Sequence, residues 1–146
     1  MIIVYLSGVF DLFHYGHMEL ISQAREKFPG CRLIIGVHND KVVTNYKRKP
    51  IMTMKERIRS VKASKLADMV IADAPLMETD AFYKLHNIDI TAHAHSMDDD
   101  ETYRKTCCPD AGDKLVRLNY TPTISTSDLI SRVLGRRSLC NNVIYK

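Results

Sequence analysis

No tryptophan occurs among the 146 residues, and no apolar run approaches the length that spans a bilayer. The first absence removes the best π-face for holding a cation. The second excludes a transmembrane helix. Ile2–Leu6 is too short for a signal-peptide core and has no basic segment before it, so no leader is expected. The four cysteines, Cys31, Cys107, Cys108 and Cys140, form no CxxC pair and no finger-like spacing. They read as reduced thiols of a cytoplasmic protein. Charge of one sign is scarce too: 21 Lys and Arg against 17 Asp and Glu leave +4. That favours anionic ligands but falls well short of a nucleic-acid binder, so no nucleic-acid partner is expected. Repeats and low-complexity tracts are missing, and the length suits one domain with a real core.

What remains alternates strand and helix, the pattern of a parallel sheet. Ile2–Leu6 reads as the first strand, Gly16–Lys27 as a helix and Arg32–Val37 as the second strand. A polar loop is expected to about Thr53, then a helix over Met54–Lys65 and a short strand over Met69–Ile71. Thr79–His86 reads as a helix with Thr79 as N-cap, followed by strand Ile88–His93 and helix Glu101–Thr106. Strand Leu115–Leu118 and helix Ser125–Val133, stopped by Gly135, complete the set. The acidic run Asp98 to Glu101 reads as a helix start, with metal binding as the alternative. The domain is expected over residues 1–135, with 136–146 a C-terminal extension.

Chemistry concentrates in Ser7 to Leu20, where an apolar strand stops and a helix begins. In an open α/β sheet, ligands bind at such a carboxyl end. Gly8 permits close backbone approach, and the helix start near Tyr15 offers free N–H groups and a positive dipole end to phosphate. His14 and His17, three apart, project from one face of the first turn. Beside a polyanion their charged forms would be favoured, raising their pKa values. Ser125, Thr126 and Ser127 open another helix, where they can cap it, bind phosphate, or both.

These residues carry a resemblance. Gly8-Val-Phe-Asp11-Leu-Phe-His14-Tyr-Gly16-His17 resembles the signature of the cytidylyltransferase branch of the HxGH nucleotidyltransferases. Lys47 to Arg57 (KRKPIMTMKER), Ile71 to Pro75 (IADAP), His86 to His93 (HNIDITAH) and Ile124 to Ile130 (ISTSDLI) continue it. Their order and spacing are those of choline- and ethanolamine-phosphate cytidylyltransferases, and the glycerol-3-phosphate enzymes are similar too. The resemblance implies a single Rossmann-like α/β domain with a central parallel sheet flanked by helices. It implies a homodimer that transfers a cytidylyl group from CTP, with Mg²⁺, to a small phosphorylated alcohol in phospholipid precursor synthesis.

By the same resemblance, His14, His17 and Lys47 are catalytic. Gly8, Val9, Phe10, Asp11, Arg57, His93, Ile124, Ser125, Thr126 and Ser127 hold CTP. Ser7, Lys49 and Tyr103 are the candidates for the acceptor. Bland readings stand beside three of these: a solvated basic loop for Lys47 and Lys49, and a helix-surface ion pair with a neighbouring glutamate for Arg57.

The chain also departs from the pattern. Tyr120 stands where an arginine is usual, with Arg117 or a lysine as possible compensation. Ser7 replaces an aspartate and Leu76 a tryptophan of the choline cage, leaving Tyr103. Ala94-His95 replaces a carboxylate after His93, which opens a zinc reading of His93 and His95. The tail is too short for a lipid-sensing region, so lipid control is not expected. Phosphocholine or phosphoethanolamine is the favoured acceptor. The alternatives are glycerol 3-phosphate, an ATP-using relative, or a nucleotide-binding module without turnover.

Overall fold

The computed structural model describes residues 1–136. Five parallel strands lie in the order β3-β2-β1-β4-β5: β1 Ile3–Gly8, β2 Arg32–Val37, β3 Met69–Ala72, β4 Ile90–Ala94 and β5 Leu115–Leu118. The chain fills one side of β1 before crossing to the other, so β1 and β4 flank a topological switch point. A crevice opens there beyond the carboxyl ends of the strands. The near-continuous apolar runs of β1 and β2 follow from burial on both faces. Val4, Leu6, Leu33 and Ile35 pack into one core with Ile21 and Ala24, while Tyr5 and Ile34 turn to a second core with Tyr83, Ile88 and Leu115.

Among the described residues, five helices lie between the strands, α1 Tyr15–Lys27, α2 Asp40–Tyr46, α3 Met54–Ser64, α4 Asp80–Leu85 and α5 Asp100–Thr106, and a sixth, α6 Thr126–Gly135, follows β5. The expected fold class, the Thr79 cap on α4 and most elements stand. Four details differ. The polar loop expected to Thr53 contains α2, nucleated by Asn39, whose side chain accepts the Val42 N–H at 2.7 Å. β1 runs on through Gly8, which pairs with Val37, instead of ending at Leu6. β4 is shifted to Ile90–Ala94, which places Ala94 in the ladder opposite Leu118. Gly135 is the last residue of α6 and not its stop. No helix among the described residues is long and apolar enough to cross a membrane. The tail expected as an extension lies outside the described residues apart from Arg136.

Candidate functional site

The crevice is a cavity of about 460 Å³ where the end of β1, the starts of α1 and α6, and the basic loop after α2 meet. Its first wall is built by the backbone after β1. Phe10 and Leu12 both take the left-handed conformation (φ 55° and 53°), folding residues 9–13 tightly before the helix. His14 then caps α1. Its Nδ1 accepts the Gly16 N–H at 3.0 Å, while His17 Nδ1 accepts the His14 N–H at 3.2 Å. This is a reciprocal capping box made of two imidazoles, which stack 3.9 Å apart.

The box decides their protonation. Each Nδ1 is an acceptor, so each neutral ring carries its hydrogen on Nε2, which is the donor nitrogen of both rings. Burial pushes the His17 pKa down to about 3, with His14 and Lys47 adding to the fall, and burial lowers His14 as well. These lowered values belong to the free protein; the rise expected beside a polyanion is a property of the bound state. Charging either ring would place a proton where a backbone N–H already points.

His14 Nε2 reaches Thr126 Oγ1 at 3.3 Å, and that hydroxyl donates to the Asp11 carbonyl at 3.0 Å. The starts of α1 and α6 are thus tied together. Ser125 caps α6 by accepting the Asp128 N–H at 3.1 Å. Ser127 Oγ accepts from Arg48 Nη1 at 3.1 Å, which fastens the basic loop across the cavity to α6. Ile124 packs against Gly16, where a Cβ would sit 3.2 Å from its Cγ2.

Lys47 lines the cavity beside His17 and His93, lowering the pKa of both. Its own pKa is lowered by burial and by Arg48. The cavity therefore brings together Ser7 to Asp11, His14, His17, Lys47, His93 and Ile124 to Ser127. It does not bring in three other expected residues. Lys49 is exposed and off the wall. Tyr103 lies flat on His93, centroids 4.0 Å apart, outside the lining. Arg57 is wholly buried beneath the site.

Arg57 braces the site from below. It donates to the Val9 carbonyl at 2.7 Å, to the Met52 carbonyl at 3.1 Å and to Asp40 at 2.7 Å. Neither the nucleotide contact nor a surface pair with Glu56 describes it, since Glu56 completes the Thr53 capping box. Asp11 is similarly committed: its carboxylate accepts the Ile51 and Met52 N–H groups at 2.8 and 2.9 Å. That pins the end of the basic loop to the cavity floor.

Two participants were missed in the sequence. Arg48, lost among three consecutive cations, supplies a guanidinium on the α6 side of the cavity. Arg117 is engaged instead with the His95 carbonyl at 3.1 Å, and Tyr120 stands exposed on the rim. Glu78 is buried and gathers hydroxyls from Ser7 (3.0 Å), Tyr83 (3.0 Å) and Thr91 (2.6 Å). Nothing in the run Leu76-Met77-Glu78-Thr79 distinguishes this carboxylate from one opening a helix. No group of three or more metal-ligating side chains occurs among the described residues, so His93 and His95 have no further zinc ligand there.

Residues 5–132 match the cytidylyltransferase-like family. A choline-phosphate cytidylyltransferase 2 of Arabidopsis thaliana is 38% identical over 141 residues, 90% of this chain and 44% of its own length. A probable choline-phosphate cytidylyltransferase of Schizosaccharomyces pombe is 38% identical over 90% of this chain and 36% of its own. An ethanolamine-phosphate cytidylyltransferase of Mus musculus is 34% identical over 90% of this chain and 32% of its own. The chain thus spans less than half the length of these curated relatives. Among solved structures, a lipopolysaccharide core biosynthesis protein of Thermoplasma volcanium has the same fold. It superposes with a TM-score of 0.66 at 23% identity, over 83% of this chain and 98% of that one.

Proposed function

This chain belongs to the cytidylyltransferase-like family, and we propose on that premise that it transfers a cytidylyl group from CTP to phosphocholine or phosphoethanolamine. The products are a CDP-alcohol and pyrophosphate, in phospholipid precursor synthesis. The observation that carries this reading is the imidazole capping box. It leaves Nε2 as the donor nitrogen of two imidazoles that line a cavity also lined by Thr126, Lys47 and Arg48.

The attacking group is a phosphate oxygen, largely ionised near neutral pH. Catalysis is then a matter of holding two polyanions together and neutralising charge on the α-phosphate and the departing pyrophosphate. His14 and His17 donate to the triphosphate, and the backbone of Gly8 to Phe10 lets it approach closely. Lys47 bridges the α-phosphate and the incoming phosphate. Arg48, with the hydroxyls and N–H groups at the start of α6, takes the place of the arginine that Tyr120 lacks. Mg²⁺ would come with CTP, held largely by its phosphates, and would neutralise charge there; Asp11, the carboxylate on the cavity floor, is committed to backbone N–H groups. Members of the resembled branch pair as homodimers, and a homodimer in the cytoplasm is proposed here.

The test is pyrophosphate release with Mg²⁺, CTP or ATP, and a panel of phosphocholine, phosphoethanolamine and glycerol 3-phosphate. Turnover is expected with CTP and an amino-alcohol phosphate. CTP binding without release from any acceptor would make the protein a nucleotide-binding module instead.

A further inference from the structure

One chain of polar contacts reaches the cavity wall from behind and takes no part in the chemistry above. It starts at Arg104 on α5, whose Nε donates to Asp100 Oδ2 at 2.8 Å. Asp100 Oδ1 lies 2.6 Å from Nε2 of His95, a residue only 8% exposed. His95 Nδ1 faces His93 Nδ1 at 3.1 Å, and His93 lines the cavity. Tyr103 stacks on both rings, with centroids 4.0 and 4.8 Å away, and holds them in line.

The protons along this chain are constrained. The hydrogen bonds from Arg104 and His95 hold the Asp100 carboxyl below the usual carboxylate range. It is therefore a carboxylate, and His95 Nε2 carries a hydrogen. Two bare nitrogens repel, and so do two N–H groups, so a single Nδ1 hydrogen lies between the rings. If His95 is neutral, that hydrogen belongs to His93, and His93 Nε2 is a bare acceptor. If His95 is an imidazolium paired with Asp100, the hydrogen belongs to His95, and His93 Nε2 is a donor. The two states differ by one proton, which enters or leaves at His93 Nε2.

We propose that His93, His95 and Asp100 form a proton relay that accepts the proton of a monoprotonated acceptor phosphate, with His95 and Asp100 as positioning residues behind His93. It rests on reading the cavity as a cytidylyl-transfer site. A phosphomonoester loses its second proton near pH 6, so part of the acceptor arrives as the monoanion. Its O–H proton passes to His93 Nε2, and the Nδ1 hydrogen of His93 passes to His95 Nδ1. His95 becomes the imidazolium partner of Asp100. The dianion left behind is the nucleophile, and the proton leaves to solvent after the products do.

The neighbours favour this direction of flow. Burial, His95, His38 and Lys47 push the His93 pKa down to about 4, so a charge does not rest there. Arg117 reaches the His95 carbonyl from β5 and not its ring. Tyr103 is kept neutral by burial, with its pKa raised.

Pyrophosphate release from CTP, Mg²⁺ and phosphoethanolamine, followed between pH 5 and 8, tests the relay. In Asp100→Asn the ratio of the rate at pH 8 to that at pH 5.5 is expected to rise about tenfold over the unsubstituted protein. Superimposable profiles overturn the proposal. A second measurement is independent of turnover: ¹⁵N NMR of the ring nitrogens in the free protein at pH 7.5. His93 is expected to carry hydrogen on Nδ1, and to shift to Nε2 in His95→Phe, with folding checked by thermal melting. Hydrogen on Nε2 in the unsubstituted protein overturns the relay. If no acceptor turns over, the transfer reading fails and the relay falls with it; turnover with superimposable profiles or with the other tautomer overturns the relay alone.

Discussion

At Gly36, next to the last residue of β2, the packing leaves no space for a single methyl group. A Cβ there would lie 2.1 Å from the Tyr5 hydroxyl, 2.7 Å from its Cζ and 2.8 Å from the Ala74 Cβ. Tyr5 is fully buried and cannot swing aside. Gly36→Ala is therefore expected to lose about 1–3 kcal/mol, seen as a lower urea midpoint with an unchanged slope. Arg57 fails differently. Arg57→Met removes the donor for the Val9 and Met52 carbonyls and the partner of Asp40. A loss on the order of 3 kcal/mol is expected in denaturant unfolding, with weaker CTP binding because Val9 sits in the cavity wall. The buried role of Arg57 could not be read from Lys55-Glu56-Arg57, a triplet that looks like an ordinary helix surface. The pairing of His14 with His17 could be read, because a three-residue spacing at a helix start fixes a shared face whatever the tertiary packing.

The elements that were legible are those whose pattern is set by the sheet. Ile2–Leu6 and the stretch from Leu33 to Val37 declare themselves by unbroken apolar runs, and the Thr79 and Ser125 caps by their chemistry. α2 was not legible, because Asp40-Lys-Val-Val-Thr-Asn-Tyr is β-branched and polar and buries only Val43. It is held by its Asn39 cap and by Asp40, which accepts from Arg57, a contact invisible in one dimension. The end of α3 holds a local feature that its residue type does not announce: Lys65 sits in the left-handed conformation (φ 58°) as the C-cap. Glycine is the residue that conformation favours, and Lys65 is exposed with little packing to lose. Lys65→Gly is expected to gain about 0.5–1 kcal/mol, a small upward shift in the thermal midpoint.

Over the whole molecule, the half-buried imidazoles of the cavity tie stability to pH. His17 and His93 are depressed to about 3 and about 4 from an ordinary value of 6.5. The unfolded chain therefore binds protons that the folded chain refuses. Their contribution is fully present above pH 6.5 and drains away as pH falls toward 4, at about 1.4 kcal/mol per pH unit for each histidine. His17→Gln separates the structural duty of this residue from its chemistry. Glutamine at the third helical position still accepts the His14 N–H, so the capping box survives, but it cannot titrate. Urea unfolding between pH 6.5 and 4 is expected to show a slope shallower by about 1.4 kcal/mol per pH unit in this variant. Pyrophosphate release is expected to fall about a hundredfold or more, because an amide replaces a ring donor aimed at the developing charge. A variant with the full acid slope would place the titration elsewhere than His17. One with full turnover would remove His17 from the phosphate site.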